Sequence, residues 1–309
     1  MPYSKLAIQD NDSMSNPQPG LFVFLLDASG SMERPVQIVD KETLDRARDL
    51  NVIPATATTL TRAQMLSIIV NEAFEAILAE MKAKATGVIK DRAKITVFQF
   101  GSSCIEVSCT MGLPMTRLWP QKVQDLGQVK KTIKSRGGES YPVECLWWID
   151  PLPTNQAISS ATSYFHALEA AKKEVDDFIQ ERSGQSFYPP QVILITDGQD
   201  SEGPQKTWHG VAKELSEKAV LWIIHLGDGK PLAAADPRQL NIQSPEEETE
   251  IYDHSSFMPD PFVKANQASE AFDVKISTPA CSLINTTPLT LRYMLRLIKT
   301  GTLTKVGAS

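Results

Sequence analysis

Residues 21–32 read LFVFLLDASGSM, in which six consecutive apolar residues are followed directly by an aspartate, two serines and a glycine. A run that is apolar at every position is typical of a strand buried on both faces, as in a parallel sheet covered by helices. A second such stretch, QVILITDG at 191–198, also ends at an aspartate, Asp197. Because ligands of these sheets bind beyond the carboxyl ends of the strands, Asp27 and Asp197 are expected at the same edge.

Helical spacing alternates with these strands along the chain. One apolar face recurs every three to four positions at Leu66, Ile69, Val70, Ala73, Ile77 and Met81. Further helices are predicted at 121–134, 163–181, 207–218, 265–272 and 289–299, further strands at 94–100 and 219–226, and a loop at 229–260. The alternation predicts an α/β fold, a Rossmann-like three-layer sandwich with a mostly parallel central sheet, one antiparallel edge strand and helices on both faces.

The domain organisation predicted from these patterns is one α/β domain with additions. Residues 1–19 are rich in Ser, Asn, Pro and Asp and are expected to form a flexible leader. The domain itself is expected to span residues 20–275, with insertions near 33–59 and 137–158 where no clean period is found. Residues 276–309 are expected to be a C-terminal helical extension.

Composition limits the classes of function that the chain can have. The 309 residues have a net charge of −6, which argues against a uniform nucleic-acid-binding surface. No apolar run approaches the roughly 20 residues of a membrane span, and the N-terminus lacks a secretory apolar core. The four cysteines match no zinc pattern; free thiols in a reducing cytosol and a Cys104–Cys109 bridge both remain open. A cytoplasmic protein is therefore expected.

The segment that follows the first strand carries metal-ligating chemistry. Asp27, Ser29 and Ser31 place one carboxylate and two hydroxyls at alternating positions in a turn that Gly30 allows to fold closely. Hard oxygen ligands without thiol or imidazole suit Mg²⁺, Mn²⁺ or Ca²⁺. Asp197 supplies a second carboxylate from another strand end. The simpler alternative is a helix cap or turn, since Asp and Ser favour both.

An Asp-x-Ser-x-Ser motif after one buried strand, with Thr-Asp-Gly after a later one, resembles the metal-ion-dependent adhesion site (MIDAS) of von Willebrand factor A (VWA) domains. The resemblance covers roughly residues 20–228. That family also has a threonine in a Gly-Thr-Pro-Leu-x-x-Ala-Leu segment, which Thr162 matches here together with an Ala-Leu pair at the same offset. Ala161 and Ser163 replace the glycine and the proline, and Ser140 is the rival hydroxyl.

The resemblance implies one octahedral metal, Mg²⁺ or alternatively Mn²⁺ or Ca²⁺. Ser29, Ser31 and, in one state, Thr162 would bind it directly, and Asp27 and Asp197 directly or through water. One open position would take an acidic side chain from a protein partner. The resemblance further implies an intracellular, bacterial scaffold or adaptor in a stress-response, phage-defence or ATPase-associated complex, with an AAA+ ATPase, a kinase or phosphatase, or a defence protein as partner.

Enzymatic motifs are missing from the sequence. It has no GxxxxGK[ST] phosphate loop, no GxGxxG after a strand and no GxSxG elbow. A non-enzymatic binding module is therefore predicted. A metal-dependent hydrolase or phosphatase is the first alternative, because a metal among hydroxyls could activate water. An RNA-binding VWA protein is a further alternative, which the acidic balance disfavours.

Overall fold

The computed structural model describes residues 14–15, 18–37, 39–83, 86–136, 139–152, 161–198, 200–201, 208–227, 232–233, 238, 246–267 and 280–303. The strands are β1 Gly20–Asp27, β2 Ala93–Phe100, β3 Cys104–Glu106, β4 Gln128–Arg136, β5 Glu139–Trp147, β6 Gln191–Thr196, β7 Val220–His225, β8 Leu232–Ala233 and β9 Ser282–Ile284. The helices are α1 Lys41–Asp49, α2 Arg62–Met81, α3 Pro120–Asp125, α4 Tyr164–Glu181, α5 Trp208–Ser216, α6 Glu246–His254, α7 Asp260–Gln267 and α8 Pro288–Leu303.

The main sheet has the strand order β3-β2-β1-β6-β7-β9-β8. The five strands from β2 to β9 in that order are parallel, and β3 pairs antiparallel with β2 at one edge. The predicted fold class, a mostly parallel sheet with an antiparallel edge strand between layers of helices, is confirmed. The two-residue β8 adds a second antiparallel strand at the opposite edge.

Strand β1 separates two hydrophobic cores, which explains its unbroken apolar sequence. Every residue of β1 is buried, and successive side chains point to opposite faces of the sheet. Phe22, Phe24 and Leu26 pack in the core that contains the apolar face of α2. The alternate residues of β1 pack in the second core, beneath α4 and α5. A strand covered on both faces needs apolar residues at odd and even positions alike.

The order of the strands places a switch point between β1 and β6. The chain passes from β1 to β2 on one side and later returns to β6 on the other side of β1. Both neighbours run parallel to β1, so their carboxyl ends lie at the same edge. Asp27 is the last residue of β1, and Asp197 follows the last residue of β6. The expectation that the two aspartates share an edge is thereby met.

The helix predicted at 121–134 is wrong beyond Asp125. Helix α3 ends there, and β4 pairs antiparallel with β5 in a separate two-stranded sheet. Gly127 lies between the two elements, where a Cβ would stand 2.7 Å from Nε1 of Trp148. Val129 and Ile133 are spaced four residues apart, which puts them on one face in a helix and also in a strand, so the spacing was ambiguous.

The segments expected to be irregular contain regular structure. Helix α1 lies inside the predicted insertion at 33–59, and β5 lies largely inside the one at 137–158. Helix α6 occupies 246–254, where a loop was expected. The predicted C-terminal extension contributes β9 to the main sheet as well as α8, which packs against α2. Residues 1–13 of the predicted leader and residues 153–158 of the second insertion lie outside the described part of the chain.

Two further observations concern cysteines and membrane spans. Cys104, Cys109, Cys145 and Cys281 are all free thiols, three of them buried. Burial raises the pKa of Cys104 to about 12, which keeps that thiol protonated and weakly nucleophilic. Within the described residues, no helix has both the length and the apolar character needed to cross a bilayer.

Candidate metal centre

Asp27 is the centre of the arrangement at the switch point. Its carboxylate is fully buried at the carboxyl end of β1. The backbone N–H of Ser29 donates to Oδ1 at 2.7 Å, and the hydroxyl of Thr196 donates to Oδ2 at 2.6 Å. Thr196 is the last residue of β6, so the pairing of β6 with β1 places its hydroxyl beside the Asp27 carboxylate.

The environment of Asp27 favours neutralisation of its charge. Burial raises its pKa to about 6, against the opposing effect of the hydrogen bonds from Thr196 and Ser29, and nearby Asp197 raises it further. Within the described residues, no cationic side chain forms an ion pair with Asp27. At neutral pH the carboxylate is therefore largely ionised in a buried position, where a charge without a counter-charge is costly.

The two serine hydroxyls lie beside the carboxylates. Oγ of Ser29 and Oγ of Ser31 are 2.8 Å apart, and the Ser31 hydroxyl donates to Oδ1 of Asp197 at 2.5 Å. A short 3-10 helix, Gly30–Glu33, sets the turn, and Met32 within it is buried in the core. The turn therefore presents its hydroxyls to the site while Met32, the residue after Ser31, anchors it in the core.

Asp197 accepts hydrogen bonds at both oxygens. The guanidinium of Arg62 donates from Nη1 to Oδ2 at 2.8 Å, and both side chains are buried. Arg62 is the first residue of α2, directly after the N-cap Thr61, which forms a capping box with Gln64. The capping box holds the first turn of α2 in place and thereby fixes the backbone position from which the Arg62 side chain extends.

The third loop places Thr162, and not Ser140, at the site. A Cβ built on Gly198 would lie 3.2 Å from Oγ1 of Thr162 and 3.6 Å from Oγ of Ser31, so the two hydroxyls border the same space. Ser140 is exposed in the two-stranded sheet, in register with Ser135. Of the two hydroxyls, Thr162 is therefore the one that lies beside Ser31 and Gly198.

The loop after β6 holds the Thr162 loop in position. The hydroxyl of Ser201 accepts from the N–H of Thr162 at 2.8 Å, and the N–H of Ser201 donates to the carbonyl of Thr162 at 2.9 Å. Oδ1 of Asp200 accepts from the N–H of Tyr164, and the Tyr164 hydroxyl donates to the carbonyl of Gly198 at 2.7 Å. Asp200 thus serves as a local anchor at the start of α4.

The sequence analysis missed two residues whose side chains donate hydrogen bonds to the predicted carboxylate ligands, Thr196 and Arg62. Thr196 could have been inferred, because a hydroxyl at the end of a central strand lies beside the end of its neighbour. Arg62 could not, since 135 positions separate it from Asp197 and only the packing of α2 on the sheet joins them. The five predicted residues, Asp27, Ser29, Ser31, Thr162 and Asp197, all lie at this site.

The donor set consists of two carboxylates and three hydroxyls. Hard cations such as Mg²⁺, Mn²⁺ and Ca²⁺ prefer oxygen ligands, and the set contains neither thiolate nor imidazole. In the part of the chain that the structure describes, no group of three or more His, Cys, Asp or Glu residues is arranged to hold a metal ion. The chemistry of this site therefore fits a hard cation and depends on hydroxyl oxygens.

Comparison with known proteins finds distant matches among solved structures. No family model and no curated protein matches the chain. A structure of proximal thread matrix protein 1 from the mussel byssus aligns with 94% of this chain and 49% of its own, at 14% identity and a TM-score of 0.43. Another structure of that protein, with a zinc-occupied MIDAS motif, has 13% identity and a TM-score of 0.43. A von Willebrand factor type A protein from Catenulispora acidiphila has 12% identity and a TM-score of 0.39, with 91% and 42% covered.

The chain thus spans about half the length of these solved structures or less. Its own topology places Asp27 and Asp197 at the carboxyl ends of adjacent parallel strands, as expected from the position of the two residues after apolar strands. The case for function depends on this geometry.

Proposed function

We propose that this chain is a VWA-type binding module whose five clustered oxygen donors hold one divalent cation. The observation that supports it most strongly is the state of Asp27, a fully buried carboxylate without a cationic partner among the described residues. At the same edge, the hydroxyls of Ser29 and Ser31 contact each other, Ser31 contacts Asp197, and the hydroxyl of Thr162 borders the same space as that of Ser31. A hard cation would balance the buried charge and use oxygen atoms that already face one another.

The ligands would divide into two kinds. Ser29, Ser31 and Thr162 would offer hydroxyl oxygens directly, and Asp27 and Asp197 would bind directly or through water. Mg²⁺ is the first candidate, with Mn²⁺ and Ca²⁺ as alternatives, because Mg²⁺ prefers one or two carboxylates and keeps exchangeable waters. The bound cation would supply a positive charge that is only partly balanced, at the edge of the sheet where partners bind.

The partner group that suits such a cation is a carboxylate. An aspartate or glutamate of another protein could replace one water and place its negative charge on the metal. Hydrolysis has less support, since the described hydrogen bonds of the clustered side chains involve Thr196, Arg62 and one another, and none involves a histidine base. The proposal is therefore binding without turnover.

The biological setting that we propose follows from the sequence resemblance. The sequence resemblance supports a cytoplasmic, bacterial scaffold or adaptor within a stress-response, phage-defence or ATPase-associated complex. The partner would be an AAA+ ATPase, a kinase or phosphatase, or a defence protein that presents an acidic side chain. Co-purification before and after treatment with a chelator would identify partners whose binding depends on the metal.

The direct test measures the heat of Mn²⁺ binding and the change that Mn²⁺ causes in the free energy of unfolding. Because the cation would bind the folded state alone, Mn²⁺ at a hundredfold excess over its Kd is expected to add about 2.7 kcal/mol to the free energy of unfolding. A chelator should reverse the gain. The readouts are calorimetric titration and thermal denaturation. The absence of both heat and a Tm shift at millimolar Mn²⁺ would rule out the proposal.

A further inference from the structure

The proposed metal site contacts one positively charged side chain, that of Arg62. Arg62 is not one of the five residues proposed to bind the metal. Its guanidinium donates to Oδ2 of Asp197, the oxygen on the far side from the Ser31 hydroxyl, which contacts Oδ1. The side chain is 92% buried and that of Asp197 wholly buried, so water screens the pair weakly. A cation beside Oδ1 of Asp197 would therefore be repelled by the positive charge of Arg62.

The capping of α2 restricts how far Arg62 can move away. Thr61 and Gln64 exchange hydrogen bonds at the start of the helix, and the N–H of Arg62 donates to the carbonyl of Arg34 at 3.0 Å. Ala63 and Met65, which follow Arg62 in α2, are buried in the core. The start of α2 therefore fixes the backbone from which the guanidinium reaches Asp197.

Counting charges shows what this arrangement does to binding. Two carboxylates and one guanidinium leave the site with one negative charge, and a divalent cation would turn this into one positive charge. With a neutral residue at position 62, the loaded site would carry no net charge. Arg62 therefore opposes the entry of the cation and makes the loaded site more attractive to an anion.

From this geometry we propose that Arg62 weakens metal binding and, in exchange, strengthens the binding of an acidic partner to the metal-loaded site. The inference rests on the proposed function and adds a mechanism that links the two ligands. Binding of the metal and binding of the acidic partner then strengthen each other, because the metal makes the site positive and the partner's carboxylate offsets that positive charge. The metal then stays bound chiefly when the partner's carboxylate is present.

The test measures two affinities in Arg62→Gln, a variant that keeps a hydrogen-bond donor and loses the charge. Mn²⁺ binding is measured by titration calorimetry, and binding of a fluorescein-labelled tetraglutamate peptide to Mn²⁺-loaded protein by fluorescence polarisation. We expect Mn²⁺ to bind about tenfold more tightly and the peptide about tenfold more weakly than in the native protein. A general loss of structure would weaken both, so opposite shifts separate the two explanations.

Two further variants control for charge and for burial. Arg62→Lys retains the charge and should stay close to the native protein in both affinities. Arg292→Gln removes another buried arginine, one that pairs with Glu72 away from the site, and should change neither affinity. Circular dichroism spectra of all variants check that they are folded.

Several results would overturn the inference. Weaker Mn²⁺ binding in both Arg62→Gln and Arg62→Lys would show that the guanidinium only positions Asp197. Equal or parallel changes in both affinities, or no peptide binding by the loaded native protein, would also contradict it. If neither the native protein nor Arg62→Gln binds Mn²⁺, the proposed metal site itself is wrong, which is a different failure.

Discussion

Replacing Asp27 with alanine is expected to weaken Mn²⁺ binding by about a hundredfold or more while the protein remains folded. The carboxylate is fully buried, and it is held by Thr196 and the N–H of Ser29. Losses of 10- to 100-fold are typical even for residues that only support a metal ligand. The loss should be at least as large for a ligand whose negative charge is not offset by Arg62, as that of Asp197 is.

Burial limits what the same substitution costs in folding. The pKa of Asp27 is raised to about 6, so its charged form is disfavoured in the folded protein, and removing it relieves that penalty. Titration calorimetry gives the affinity and thermal denaturation the stability. Asp176→Ala is the matched control, because it removes one exposed carboxylate that pairs with Lys218 on the surface. Equal Mn²⁺ affinity of Asp27→Ala and Asp176→Ala would contradict the assignment.

Replacing Asn71 with leucine is expected to lower the free energy of unfolding by about 3–5 kcal/mol. The side chain of Asn71, in α2, is 2% exposed. Its Nδ2 donates to the carbonyls of Ser67 and Ile149 at 2.7 and 2.8 Å, and its Oδ1 accepts from the N–H groups of Trp148 and Ile149 at 2.7 and 3.2 Å. Leucine has a similar volume and would leave three buried backbone groups at 148–149 without these partners.

Urea denaturation measures the effect, with Ser67→Ala as the control on the same helix. The Ser67 hydroxyl donates only to the carbonyl of Gln64 in its own helix, so its loss should cost about 1 kcal/mol or less. The difference between the variants isolates the contacts that attach the end of β5 to α2. A cost for Asn71→Leu no greater than that for Ser67→Ala would show that the end of β5 is held by other contacts.

The fold could be predicted where the apolar period was distinct. Strands β1 and β6 were identified because both of their faces are covered, and α2 and α4 because one stripe of each is buried. The β4–β5 hairpin was missed because Val129 and Ile133, both exposed, fit either period. Strand β9 has three residues, too few to show any period, and its place beside β7 is set by packing.

The candidate site could be predicted only as far as it lies in continuous motifs. Asp27, Ser29, Ser31 and Asp197 follow strand ends, and the rules for parallel sheets bring strand ends together. Thr162 was favoured over Ser140 because a helix follows it directly, and the coordinates place Ser140 in β5 while Thr162 lies beside Ser31. Arg62 follows no motif, and its contact with Asp197 arises from how α2 packs on the sheet.

The most direct test of the central claim is anomalous X-ray diffraction from crystals of the protein grown with Mn²⁺. One anomalous peak is expected at the carboxyl ends of β1 and β6, about 2.0–2.6 Å from Oγ of Ser29 and Oγ of Ser31. Asp27 and Asp197 should border the same peak, directly or through one water. Anomalous data that show no Mn²⁺ at these oxygens, in crystals where the native site is open to solvent, would contradict the account.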